Sequence, residues 1–436
     1  MRILFFVFTL FCSASTVNAL LKVQVNRGVF SPIPIAIADF GNESSELGQS
    51  IRQVIASDLG SSGLFKIIPK DAYIQDAESL QKAVRFSDWG LIKVDGLVYG
   101  SVKELKGQVI VTFHLTDIFA KKQMIALQMQ SQKSDWRKMA HMISNAIYER
   151  LTGEKGYFTT KVAYVAESGR ADQRIKRLAM MDYDGENHKY LTTGRTFVMT
   201  PRFSPDGNKI AYFTIAHHQG NVYIYDINQH TTELLGRFKG MSYAPRFSSD
   251  GKKILFSVAE GMTSHIFEMD LKTKNKKQLT KVPALNTSPY YSPDGSKIAF
   301  VSDRSGTPQI YVMESNGEVG SASAKRLTFG EGRYYTPVFS PNGQHLAFTK
   351  THRGSFYVGV LRPDGTAERT LAQGFFVEAP TWSPNSQMVM YTRRTQINPR
   401  TKSEIARVYS IHIAGFNEQE VLTPMDATDP EWSASL

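Results

Sequence analysis

The chain is poor in residues that staple, anchor or catalyse. Its single cysteine, Cys12, lies in an apolar run near the N-terminus, which leaves the remainder without disulfide or thiol chemistry. A lipid-anchored form is disfavoured as well, because Phe11 stands where an acylated cysteine needs a small neighbour. The run itself, Ile3–Cys12, is ten residues long, against the roughly 20 that a membrane-spanning helix needs. With Arg2 before it and Val17-Asn18-Ala19 after it, it reads as a cleaved secretory signal, residues 1–19, which starts the mature chain at Leu20 in the periplasm. No Gly-x-Ser-x-Gly elbow occurs, and no His-x-x-x-His pair among ten histidines, so serine-hydrolase and helix-borne zinc chemistry have no carrier. No cofactor or metal is expected. Negative charge is also in deficit: 40 acidic against 51 basic residues give a net charge of +11. The basic residues are scattered, apart from Lys272–Lys277, which implies an evenly basic surface rather than a nucleic-acid site.

What the chain has in abundance is one repeated sentence. Pro201–Tyr212 (PRFSPDGNKIAY) recurs as Pro245–Phe256, Pro289–Phe300, Pro337–Phe348 and Pro380–Tyr391, and a clipped sixth copy, Pro430–Leu436, ends the chain. Successive lead prolines stand 44, 44, 48, 43 and 50 residues apart, close to the roughly 40 to 50 residues of one four-stranded propeller blade. Ser204-Pro205-Asp206-Gly207 reads as a tight turn, with proline presetting φ and glycine taking the exit conformation. The apolar runs that follow, Ile210–Phe213 and Ile298–Val301 among them, suit strands buried on both faces.

Lys161–Ala166 resembles a second blade strand that lacks a first, and the orphan first strand lies at the other end of the chain, in Pro430–Ser433. Pairing these two fragments, with Pro430 and Trp432 at the closure, hides two sheet edges and gives six blades. The aromatics Phe203, Phe247, Tyr291, Phe339, Trp382 and Trp432 recur at one position and read as wedges between blades. Their neighbours Arg202, Arg246, Tyr290, Val338, Thr381 and Glu431 vary and point to the other face, as a partner-specific surface would.

Residues 20–153 are of another kind, an α+β domain of short strands and two amphipathic helices. Leu47, Ile51, Val54, Ile55 and Leu59 mark one helix, capped at Ser44 or Ser45; Trp136, Met139, Ala140, Ile143, Ile147 and Leu151 mark the other, ended at Gly153. Strands are expected at Val23–Val25, Pro34–Ala38, Leu64–Ile68, Gly96–Leu105, Gln108–Thr116 and Gln123–Gln130, with a hairpin at Lys106-Gly107. Thr152–Tyr157, with two glycines, reads as a hinge, with residues 154–160 as the connector into a propeller over 161–436.

The ordered combination of signal, small α/β domain, Leu151-Thr152-Gly153-Glu154-Lys155-Gly156 bridge, Met181-Asp182-Tyr183-Asp184-Gly185 turn and terminal Trp432-Ser433 closing six PD40/WD40-like repeats resembles the TolB family of the Tol-Pal system along the whole chain. That resemblance implies a monomeric scaffold, neither membrane-embedded nor an enzyme. Its partners would be the peptidoglycan-associated lipoprotein Pal and the inner-membrane protein TolA, with outer-membrane or peptidoglycan-associated proteins as further candidates. The work implied is outer-membrane integrity and constriction during cell division. It places TolA binding on Leu20, Leu21, Lys22, Val23, Gln24, Val25, Asn26, Arg27 and Gly28, whose alternation also suits strand addition to a partner's sheet edge or a first strand of its own domain. It places Pal on loops running into two lead prolines, Met241, Ser242, Tyr243 and Ala244, and Asn286, Thr287 and Ser288. Met241 departs from the histidine that relatives can carry there. An alternative reading is a propeller lyase or glycosidase acting on polysaccharide, and convergent carboxylates in the channel would favour it.

Overall fold

A computed structural model describes residues 31–41, 46–169, 173–216, 219–238, 242–316, 323–398 and 403–435. The proposed signal, Val23–Val25 and the Ser44/Ser45 cap therefore lie outside the described residues.

The N-terminal domain contains β1 (Ile33–Phe40), α1 (Glu46–Ser61), β2 (Phe65–Ile67), α2 (Ala77–Lys82), α3 (Phe86–Leu91), β3 (Gly96–Leu105), β4 (Gln108–Asp117), β5 (Lys122–Gln132) and α4 (Trp136–Thr152). Its sheet has the order β2-β1-β3-β4-β5, with β1 parallel to both neighbours. Side-chain alternation along β1 divides the domain into two layers. Ile33, Ile35 and Ile37 face α1 and α4, while Ala36 and Ala38 face Leu80 of α2 and Trp89 of α3. The long helices bury the stripes expected of them, Ile51, Val54, Ile55 and Leu59 against Met139, Ala140, Ile143, Ile147 and Leu151. Each of the Val, Ile, Leu and Met side chains contributes roughly 1.5–3 kcal/mol by leaving water. Helices α2 and α3 were not expected, since six residues each are too few for the apolar periodicity to register.

Among the described residues the propeller comprises six four-stranded sheets. In five of them an inner strand, Phe197–Phe203, Ser242–Phe247, Asn286–Tyr291, Arg333–Phe339 or Phe376–Trp382, is followed by three antiparallel strands in chain order. The sixth draws its inner strand, Asp426–Trp432, from the C-terminus and pairs it with Lys161–Ser168, matching Trp432 to Val162 and Ala427 to Ala166. We call this blade 1 and number the others in chain order. The second strands are buried on both faces, as the apolar runs require: Ile210, Ala211, Tyr212 and Phe213 are at most 5% exposed.

The connector 154–160, read as a hinge from Gly153 and Gly156, is packed. Tyr157 and Phe158 are buried in a cluster that runs from α1 and α4 into blades 1 and 6. Tyr157 meets Trp432 edge to face at 5.5 Å, and Trp432 Nε1 donates to Thr160 Oγ1 at 2.7 Å. Asn417 Nδ2 and Gln419 Nε2 of blade 6 both donate to Ser61 O at the end of α1. Gly63, at φ +73°, is required there, because a Cβ would stand 2.6 Å from that of Asn417. The aromatic pair outweighs the glycines, since burying two large rings fixes a segment that composition alone leaves free.

Candidate partner-binding site

The inner strands form a ring in which each abuts the next, and the strand of blade 1 closes against that of blade 2. All six run the same way, so they start at one mouth of the central channel and end at the other, where the Ser-Pro-Asp-Gly turns lie. The residues alternating with the wedge aromatics gather at this turn mouth. A cavity of about 470 Å³ is lined by Arg202, Arg246, Tyr290, Thr381 and Glu431, together with Phe203, Phe247, Trp382 and Trp432. Arg246 Nη1 donates to both Glu431 oxygens, at 2.9 and 3.1 Å, and its guanidinium lies 4.6 Å from the Tyr290 ring centre. Burial, with Arg246 close by, pulls the Arg202 guanidinium down to about 10. Val338 departs from this set by packing into the core between blades 5 and 6. Most of these residues therefore pair with one another inside the channel instead of forming an outer surface.

Each lead proline lies within its inner strand, at a bulge. Thr200, Ser288, Thr336, Ala379 and Asp429, the residues before five of the prolines, have φ between 45° and 54°. At each of these sites the register slips by one residue, as between Thr287 and Tyr290 or Thr428 and Glu431. Proline suits the extra position because it has no N–H to leave unpaired.

This changes the proposed Pal loops. Asn286, Thr287 and Ser288 belong to the inner strand of blade 4, with Asn286 opposite Ser302 and Thr287 opposite Val301. Asn286 is fully buried: its Nδ2 donates to the carbonyls of Ser264, Val282 and Ala284, and its Oδ1 accepts from Arg304. It is a structural residue that ties blade 3 to blade 4. Thr287 and Ser288 are half-buried near the mouth where the inner strands begin. Ser242, Tyr243 and Ala244 also lie on an inner strand, not in a loop; their side chains, Met241 and the whole segment Leu20–Gly28 fall outside the described residues. Pro430 and Trp432 are buried in the closing strand.

Sequence reasoning missed two features of this opposite mouth. Large apolar side chains are exposed around it: Phe197, Met262, Leu285, Phe329, Phe375 and Ile397, with Met262 92% and Phe329 74% accessible. All lie in or beside connections from second to third strands or from one blade to the next, which open on this face. The available signal was large apolar residues where turn chemistry calls for polar ones. The second feature is a carboxylate pair on the inner strands of blades 6 and 1. Burial and the neighbouring Asp429 push the Glu378 carboxyl up to about 7, and burial raises Asp429 as well. Glu167 beside them accepts from Arg394 at 3.0 Å and Lys176 at 2.9 Å. Burial works to raise it, but these cations outweigh that effect and hold it below the usual carboxylate range.

An α/β domain fastened to blades 1 and 6 on the turn face of a six-bladed propeller, with large apolar side chains exposed among the described residues around the opposite mouth, defines a two-domain propeller protein. No helix among the described residues is long and apolar enough to cross a membrane. Residues 148–436 match the TolB beta propeller domain and residues 21–124 the TolB amino-terminal domain. The chain is 47% identical over 420 residues to the Tol-Pal system protein TolB of Paramagnetospirillum magneticum, covering 95% of this chain and 93% of that one. It is also 47% identical over 430 residues to that of Pelagibacter ubique, covering 96% of each. The crystal structure of TolB from Acinetobacter baumannii superposes with a TM-score of 0.83 at 28% identity, over 96% of this chain and 98% of that one. The chain belongs to the TolB family.

Proposed function

We propose that the chain is a periplasmic, non-enzymatic scaffold of the Tol-Pal system, which binds Pal at the mouth where the inner strands begin and TolA through the mature N-terminus, Leu20–Gly28. Through these contacts it helps hold the outer membrane to the cell and supports constriction during division. The observation that carries the reading is the apolar rim that the described residues give that mouth. It exposes Phe329, Phe375 and Leu285 on the face turned away from the N-terminal domain, with Thr287 and Ser288 at its inner edge. Large apolar side chains left in water on one face suit an interface that would cover them. Family membership names the system; the face supplies a place for one partner.

A second reading, a lyase or glycosidase acting on polysaccharide, is favoured by the Glu378 and Asp429 carboxylates, because a raised carboxyl beside a second one is the equipment of a glycosidase. One experiment separates the two. The tagged mature chain and its Glu378→Gln variant are used to capture partners from an envelope extract and are assayed on envelope polysaccharides. The scaffold reading expects both proteins to recover Pal and TolA and neither to cleave polysaccharide. Cleavage by the wild type, lost in Glu378→Gln, with no recovery of Pal, would establish the enzyme.

A further inference from the structure

Where α1 and α4 meet blade 1, a buried histidine has half of its ring unexplained. His141 of α4 sits beside Asp58 of α1 with Nδ1 2.8 Å from Asp58 Oδ2, and its side chain is 3% exposed. The other nitrogen, Nε2, has no hydrogen-bond partner. It faces Asp184 Oδ2, in the turn after the third strand of blade 1, at 3.7 Å. A buried ring nitrogen without a partner carries a desolvation penalty that something should offset.

We propose that Asp58, His141 and Asp184 form a site for one divalent transition-metal cation of the zinc class, held across the joint between the two domains. One donor atom from each of the three lies within 4.8 Å of the others, the only such His and carboxylate grouping among the described residues. The chemistry divides naturally. His141 Nε2 and Asp184 Oδ2 are ligands: a cation about 2.0–2.2 Å from each fits a separation near that observed. Asp58 holds the proton on Nδ1, which leaves the Nε2 lone pair free for metal. This is the carboxylate behind the ring that orients most metal-binding histidines. Imidazole with carboxylate suits zinc and its neighbours better than calcium or magnesium, which prefer oxygen alone. An opening of about 310 Å³ lined by His141, Arg137, Thr160, Met181 and Asp182 lies against the His141 side of the site.

Arg137, one turn before His141 on α4, is the competitor. Its Nη2 pairs with the same Asp184 oxygen, so the guanidinium and the metal exclude each other there. The inference does not rest on the scaffold reading. It says that the fastening of Asp58 and His141 to Asp184, and with it the union of the two domains, strengthens when metal binds.

The test uses the mature full-length chain, stripped with a chelator. It is titrated with Zn²⁺ by calorimetry and with Co²⁺ by visible absorption, and Tm is followed with and without Zn²⁺. The proposal expects one saturable equivalent, visible Co²⁺ bands and a Tm that rises with Zn²⁺. His141→Gln and Asp184→Asn each weaken binding at least tenfold, and Asp58→Asn weakens it 10–100-fold, the usual cost of losing the residue behind the ring. Arg137→Gln tightens it, a gain that a misfolded protein cannot give. The proposal is overturned by absence of a saturable equivalent, by binding that survives both His141→Gln and Asp184→Asn, or by an Arg137→Gln variant that binds no more tightly than the wild type.

Discussion

At the scale of single residues, the repeat is held by one small device. Ser204, Ser248 and Ser292 each donate their Oγ to an aspartate two residues on and accept from the backbone N–H of Lys209, Lys253 and Lys297. These bonds to the charged form hold Asp206, Asp250 and Asp294 below the ordinary carboxylate range, Asp294 at about 2. Ser340 and Ser383 make the same bond to Asn342 and Asn385, so geometry rather than charge is what the turn requires. The aspartates are structural, as the sequence suggests. Their pKa values are lower folded than unfolded, so the stability they contribute is complete above about pH 4 and is lost as pH falls towards 2. The triple variant Asp206→Asn, Asp250→Asn, Asp294→Asn should keep the fold and show a flatter fall of Tm between pH 5 and 2. An acid limb as steep as that of the wild type would remove these groups from the account.

At the scale of elements, the closing strand decides whether the ring is a ring. Besides its pairing with Lys161–Ser168, it supplies Trp432 to the interdomain cluster and Ser433 Oγ to the Lys161 N–H. Deleting Pro430–Leu436 exposes two inner edges and the connector aromatics together. We expect a lower Tm and a broadened transition, with loss of Trp432 alone costing on the order of 3–5 kcal/mol; a truncated chain that unfolds like the intact one would show the ring to be closed by other means. Closure was legible because Lys161–Ala166 and Pro430–Ser433 are complementary fragments of one repeat. The bulge was not. Proline at a bulge and proline at the first residue of a strand look alike in sequence, and the second reading turned Asn286–Ser288 into a loop. The burial of Asn286 depends on Ser264 and Arg304, 22 and 18 residues away, which no local pattern links to it. At the connector, the burial of Tyr157 and Phe158 outweighs the freedom that Gly153 and Gly156 suggest.

At the scale of the whole molecule, the N-terminal domain makes the propeller's two faces unequal. The N-terminal domain is fastened to blades 1 and 6 on the turn face through Ser61, Asp58, His141, Lys155 and the connector. The opposite mouth keeps its apolar side chains in water. Fold and closure could be read from the repeat; this asymmetry could not, because it depends on where a second domain docks. The central claim is that the apolar-rimmed mouth is the Pal surface, and calorimetric titration of purified Pal into the mature chain and into its Thr287→Arg and Phe329→Ser variants tests it most directly. The account predicts saturable binding by the wild type, loss of binding by Thr287→Arg and at least tenfold weakening by Phe329→Ser, all with unchanged far-ultraviolet circular dichroism. Pal binding of wild-type strength by both folded variants would contradict it.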